Sequence, residues 1–160
     1  MLERRYDTQV CSLARSLEVV GERWTLLILR ETALRGRRFD DMQRSLGLAR
    51  NVLADRLERL CEEGLLARRK YQERPPRFEY VSTEKARDLF PALAVLISWG
   101  DKYYAPDGPP RLIRHRDCGG PVVHSLACGA CGLDIVAGDV ESLPGPGSLQ
   151  VPVASGHDAR

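Results

Sequence analysis

The sequence predicts a mainly α-helical domain carrying one small β-hairpin, followed by a small cysteine-containing module. Three observations carry this reading. Apolar residues recur at helical spacing through most of the first 104 positions, and glycines at 21, 36, 47 and 64 interrupt the pattern. Two short β-prone segments, 66–71 and 78–82, flank a six-residue stretch containing Pro75-Pro76. Beyond a Pro- and Gly-containing linker at 106–110 the periodicity stops, and cysteines stand at 118, 128 and 131. A chain of 160 residues has room for one ordinary domain and an appendage. The expected organisation is therefore a domain at 8–105, a Cys/His module at 111–140 and a tail at 141–160. That tail is rich in Pro, Gly and Ser and is expected to be disordered.

Each element follows from its own residues. Leu13, Leu17 and Val20 form a helical stripe after Cys11-Ser12, which Gly21 ends. A second helix starts near Trp24 and runs through Leu26-Leu27-Ile28-Leu29, apolar enough to be the buried centre. Phe39, Met42 and Leu46 mark a short third helix, with Asp40 and Asp41 in the first turn where the dipole favours anions. After a turn at Gly47, a fourth helix spans about 50–63. Its apolar set is Leu53, Leu57, Leu60 and Cys61, which leaves Arg50, Asn51, Ala54, Asp55 and Glu58 on the other face. Two strands then bracket Gln72-Glu73-Arg74-Pro75-Pro76-Arg77, whose prolines forbid a two-residue hairpin and predict a longer projecting loop. Thr83-Glu84 opens a long fifth helix to about Tyr104, with a kink or broken ladder expected at Pro91. That helix carries two apolar stripes. One, with Ala86, Leu89, Phe90, Leu93 and Ile97, serves the protomer's core. The other, with Leu96, Trp99 and Tyr103, needs a second surface, which a homodimer partner would supply.

Composition excludes several classes. The longest apolar runs are a few residues, too short for a membrane helix. No apolar signal region follows Met1-Leu2-Glu3-Arg4-Arg5, so a cytoplasmic protein without a disulfide framework is expected. The net charge of +2 hides an asymmetry: +4 over 1–105, −2 over 106–160, and +5 within 35–77. Nearly all the basic residues are arginine, the side chain best suited to phosphate and guanine.

Helix, turn, helix, then two strands around a basic loop is the layout of a winged helix-turn-helix, and double-stranded DNA is the partner this implies. The second helix of such a pair enters the major groove with its N-terminal residues at the base edges. Arg50 and Asn51 stand there, able to contact guanine and adenine bidentately. Arg56 suits a phosphate or an intramolecular pair, and so does Arg59. Asp55 suits either cytosine or a salt bridge to Arg59. Arg74 and Arg77 flank the wing tip, and Arg37 and Arg38 precede the third helix, where phosphates pass.

The motifs Cys11-Ser12-Leu13-Ala14-Arg15-Ser16-Leu17, Gly21-Glu22-Arg23-Trp24-Thr25-Leu26-Leu27, Arg37-Arg38-Phe39, Val52-Leu53-Ala54-Asp55-Arg56-Leu57 and Pro75-Pro76-Arg77-Phe78-Glu79-Tyr80 occur in that order. Over about residues 8–104 the chain resembles the HxlR-type branch of the MarR-like winged-helix transcription regulators. The resemblance implies a bacterial, homodimeric DNA-binding regulator whose terminal helices form the dimer interface; we expect it to act as a repressor. Ala49 and Ala54 depart from the small hydroxylated residues frequent at those positions in relatives. Cys11 is placed like the N-terminal cysteine that HxlR-like redox regulators use, which makes it a candidate sensor of oxidants or electrophiles. A small-molecule effector is the other signal considered.

His115-Arg-Asp-Cys118-Gly-Gly and Cys128-Gly-Ala-Cys131-Gly have the spacing of two zinc knuckles, since a two-residue gap lets one tight turn present two ligands. The expected cofactor is one structural Zn2+ held by His115, Cys118, Cys128 and Cys131 in a zinc-ribbon-like module, with His124 the rival to His115. Free thiols are the plainer reading. An adaptor whose module binds protein, or a zinc enzyme, are the alternatives to a regulator. Four closely spaced ligands argue for a closed rather than a catalytic site, and no nucleophile–base arrangement stands elsewhere.

Overall fold

The computed structural model describes residues 10–147. Within them the elements run α1 (Ser12–Val20), α2 (Thr25–Ala33), β1 (Arg37–Arg38), α3 (Phe39–Leu46), α4 (Arg50–Glu62), β2 (Leu66–Gln72), β3 (Arg77–Ser82), α5 (Glu84–Asp88) and α6 (Phe90–Tyr104). A single 3-10 turn follows at Ala137–Asp139. The expectations for residues 8–9 and 148–160 lie outside the described residues. Two compact units divide the chain: residues 19–125, and a second to which 10–18 and 126–147 belong.

Burial in the first unit centres on α2. Ile28, Met42, Leu53 and Leu57 are fully buried, and Leu29, Leu48, Leu60, Leu65, Leu66 and Ala86 complete the cluster. The i, i+4, i+7 set expected on α4 is the buried one, while Cys61 is half-buried at its margin. Thr25 and Thr32 of α2 are the buried polar residues among those described, and Thr32 Oγ1 donates to the carbonyls of Ile28 and Leu29 and accepts from Ser82 Oγ at 3.1 Å. Its hydrogen-bonding demand is met, so its burial carries no desolvation penalty of consequence.

Helix α4 ends where Gly64 takes a φ of +68°, a conformation a side chain would strain. The Gly64 N–H donates to Cys61 O and the Leu65 N–H to Leu60 O, the paired bonds of a Schellman stop. Leu60 and Leu65 are both core residues, so the stop also aims β2. Lys85 Nζ donates to Glu63 O at 2.6 Å and adds a cation at that end. Thr83 caps α5, accepting from the Ala86 N–H while its hydroxyl donates to Gly64 O at 2.7 Å.

Two features differ from the periodicity. The strands form a three-stranded antiparallel sheet ordered β1-β3-β2, because Arg37 and Arg38 pair with Tyr80 and Glu79 of β3. A two-residue strand is too short to show any alternation. The long last helix is two helices, α5 and α6, separated at Leu89, with Pro91 in the first turn of α6 where its missing N–H costs nothing. No helix among the described residues is long and apolar enough to cross a membrane.

Leu57 touches the core from the middle of α4 and is fully buried. Leu57→Ala is expected to cost roughly 2–5 kcal/mol, read as a lower urea midpoint at unchanged slope.

Candidate nucleic-acid interface

Helices α3 and α4 are joined by a turn in which the Gly47 N–H donates to Gln43 O and Leu48 is buried as an anchor. Ala49 is the N-cap of α4 and offers no side-chain acceptor. The first-turn N–H groups of α4 are thus left to solvent or to an anion. Arg50 and Asn51 project from this turn and are exposed. Arg50 Nη1 lies 3.3 Å from Asp40 Oδ1, and its guanidinium sits 4.7 Å from the Phe39 ring centroid. Both partners in that ion pair are well exposed, so the pair holds the arginine only weakly.

The arginines expected at DNA divide into two groups. Arg37 Nη2 donates to Glu31 Oε2 at 2.5 Å, and its side chain is only 19% exposed. Arg56 Nε lies 3.3 Å from Glu22 Oε2, and its Nη1 is 3.7 Å from Asp55 Oδ2, with 24% exposure. In this structure both are held by carboxylates of the chain, Arg37 by Glu31 and Arg56 by Glu22. The interior explains it, since a half-buried guanidinium needs a carboxylate beside it. Asp55 stays exposed on the outer face of α4 and is engaged with Arg56.

Arg38, Arg74 and Arg77 are exposed. The Arg38 guanidinium packs 4.2 Å from the Tyr71 ring centroid. With Phe39, Asp40, Asp41, Arg44, Tyr71, Arg77 and Phe78 it lines an open cleft of about 410 Å³ between α3 and the hairpin, whose charge is therefore mixed. The hairpin is braced by Arg69 Nη2 to Glu79 Oε1 at 2.8 Å, Lys70 Nζ to Glu73 Oε2 at 3.2 Å and Gln72 Nε2 to Arg74 O at 3.0 Å. Arg68 covers Phe78 at 4.4 Å.

Sequence reasoning missed Glu31, the carboxylate that ties three elements together. It takes Arg30 of its own helix, Arg37 of β1 and Ser45 of α3, and its side chain is 10% exposed. Its partners lie up to 14 residues away, so no local spacing signals it. Burial works against the carboxylate, but the Arg30 hydrogen bond, the Arg37 charge and the Ser45 hydroxyl outweigh it, and its pKa lies below the ordinary 4.5. Glu22 was missed for the same reason. Besides Arg56, its carboxylate accepts the Trp24 N–H at the start of α2.

The cysteines fall in three settings. Cys11 is exposed, and its carbonyl accepts the Arg15 N–H at the start of α1. Cys61 is half-buried, and burial pushes its thiol up despite the nearby charge of Arg68. The remaining three lie on two tight turns of the extension. In the first, Gly119 N–H donates to His115 O and His115 N–H to Gly120 O. His115 Nδ1 is 3.2 Å from Cys118 Sγ, and the Gly120 N–H points at that sulfur at 3.4 Å. In the second, Gly132 N–H donates to Cys128 O and Cys128 N–H to Leu133 O. Backbone N–H groups of Cys131 and Ala130, with the Cys131 thiol, hold the Cys128 thiol below its ordinary value. Gly119 and Gly132 have φ of +69° and +74°, which the turns require. His124 lies between the two turns and belongs to neither. Among the described residues, no three His, Cys, Asp or Glu side chains are gathered as a metal would need; His115 and Cys118 are brought together as a pair.

A helix-turn-helix with an exposed second-helix N-terminus and an arginine-bearing hairpin defines a winged helix-turn-helix protein. The chain belongs to the HxlR-like helix-turn-helix family, whose sequence model matches residues 19–108. It is similar to the HTH-type transcriptional regulator Rv3095 of Mycobacterium tuberculosis, a protein of uncharacterised role. The two are 48% identical over 147 residues, covering 91% of this chain and 92% of the relative. That alignment runs beyond the family domain, so the extension is shared. Among solved structures it is similar to PA1607, a candidate transcription factor, at a TM-score of 0.77 and 36% identity, over 86% of this chain and 97% of the other. It is also similar to the redox regulator HypR in its oxidised form, at a TM-score of 0.55 and 27% identity, over 57% of this chain and 96% of the other. The class to which the chain belongs is transcription regulators.

Glu31 also makes stability depend on acid. Its folded pKa lies below its unfolded one, so its contribution is present in full above about pH 4.5 and is lost as pH falls through the folded value. Glu31→Gln is expected to cost roughly 1.5–3 kcal/mol at neutral pH and to flatten the acid limb, measured by urea denaturation at a series of pH values.

Proposed function

We propose that this regulator binds a pseudo-palindromic operator as a homodimer and represses by occupying it. The exposed N-terminus of α4 carries the reading: Arg50 and Asn51 stand at the solvent end of the second helix of the motif, with no side-chain cap competing for the helix N–H groups. Arginine matches guanine O6/N7 and asparagine matches adenine N6/N7, while exposed Arg38, Arg74 and Arg77 suit phosphates or a neighbouring groove.

The dimer is supported by a face of α6 left uncovered. Val95, Leu96, Trp99 and Tyr103 are 40–59% exposed, and Trp99 packs against Tyr103 at 5.7 Å between centroids. A second copy burying this face would place two reading heads on one duplex, with half-sites one helical turn apart, roughly 34 Å. For the signal we propose oxidation or electrophile addition at Cys11. An exposed thiol at the start of α1 supports this, together with the likeness to a redox regulator.

Binding measured on operator fragments recovered by genomic selection tests the reading. Asn51→Ala is expected to lose roughly 1–3 kcal/mol and to relax preference at one base position per half-site. Arg77→Ala is expected to weaken all sequences alike and to reduce the salt slope by about one. A monomer without preference for any duplex overturns the proposal, and a reporter gene downstream of the operator decides its sign. For Cys11, hydroperoxide or quinone is expected to release DNA from the wild type and to spare Cys11→Ser. Equal responses leave Cys11 as an ordinary surface thiol.

A further inference from the structure

Helix α4 exposes seven residues between positions 50 and 62, and six of them are polar or charged. The seventh is Ala54. It stands three residues after Asn51, and residues so spaced are neighbours on a helix, with Cβ atoms about 5–6 Å apart. Helical side chains lean toward the N-terminus, so the Ala54 methyl covers surface beside Asn51. The Arg50 guanidinium is directed instead toward α3, 4.7 Å from the Phe39 ring centroid and 3.3 Å from Asp40 Oδ1. Alanine has no side-chain donor or acceptor, so position 54 contributes preference only through apolar contact. Its neighbours narrow the partner further. The carboxylates of Asp55 and Glu58 are exposed within one turn of Ala54 and repel phosphate, which leaves base edges as the fitting surface.

We propose that Ala54 is a specificity-determining residue that reads the 5-methyl group of a thymine beside the base Asn51 contacts. This rests on the operator reading above and names a second base within each half-site. The thymine methyl is the apolar group that base edges present in the major groove; the others are hydrogen-bond donors and acceptors. A single exposed methyl on the reading face has its chemical complement there. The spacing agrees. Three residues of helix rise about 4.5 Å and base pairs stack about 3.4 Å apart, so the contact falls in the pair read by Asn51 or the one next to it. Bringing the two methyls together removes one small apolar group from water on each side, a factor of about four in affinity per half-site. That is smaller than a bidentate contact supplies, so Ala54 refines a site that Asn51 defines.

The test uses the full-length protein and synthetic duplexes of a selected operator, with thymines replaced one at a time by deoxyuridine. Uracil keeps the pairing and the O4 acceptor of thymine and lacks only the 5-methyl group. Synthetic duplexes carry no methylated cytosine, so a methyl effect in them belongs to thymine. One thymine per half-site, in the pair that Asn51→Ala relaxes or in the pair beside it, is expected to lower affinity about fourfold when replaced. Ala54→Gly is expected to bind the thymine and uracil duplexes equally. Glycine's cost to the helix falls on both duplexes alike and cancels from their ratio. Should that variant fail to fold, Ala54→Ser sets a hydroxyl against the methyl and is expected to shrink the ratio too. Absence of a thymine at those pairs, indifference of every thymine there to the exchange, or a uracil effect undiminished by substitution of Ala54 overturns the proposal. A protein that prefers no duplex overturns the operator reading as well, whereas one that keeps its preference and ignores the exchange overturns the assignment of Ala54 alone.

Discussion

Burial of Leu53, Leu57 and Leu60 against Ile28, Leu29 and Met42 is the constraint on which the rest of the winged domain depends. A helix turns through about 100° per residue, so committing positions 53, 57 and 60 to the interior leaves 51, 54, 55 and 58 outside, while Arg50 is exposed because it is the first residue of α4. The outward face of α4 is therefore a consequence of its inward one. The Schellman stop at Gly64 extends the same logic. It uses Leu60 as its hydrophobic partner and sends the chain into β2, so the hairpin's placement is tied to the burial that orients α4.

Charge is distributed over this frame in two ways. Glu31 and Glu22 each sit at a junction and hold one arginine across it: Glu31 binds Arg37 of β1, and Glu22 pairs with Arg56 of α4. The Glu31–Arg37 pair is the better shielded and the Glu22–Arg56 pair is half-buried, so losing one partner would strand a partly buried charge. Arg38, Arg50, Arg74 and Arg77 stand outside that arrangement. Arg50 is restrained only by an exposed carboxylate and an aromatic face, contacts that a phosphate or a guanine edge can replace at little cost. The same residue type thus fixes the geometry at some positions and remains available at others, and burial decides which.

The extension is organised on a different principle. Its order is local, made of hydrogen bonds within turns rather than of packed side chains. Its exposed Leu126, Leu133 and Val136 contrast with the closed interior of the winged domain. Local hydrogen bonds in water contribute little net stability each.

Most of the winged domain was legible in the sequence, because amphipathic periodicity and helix stops are local signals. The spacing of Leu53, Leu57 and Leu60 identified the buried face of α4, and Pro91 marked the break before α6. The exposure of Asn51, Ala54, Asp55 and Glu58 was legible for the same reason, as the complement of a buried stripe. What the sequence could not determine were the partnerships between distant residues. A two-residue strand carries no period, so β1 emerged only from its pairing with β3. Whether Arg37 and Arg56 face water or a carboxylate depended on Glu31 and Glu22, and only the folded chain brings those residues together. An arginine's neighbours along the chain state its charge; the tertiary structure decides its solvation, and with it whether that charge is spent inside the protein or left for a partner.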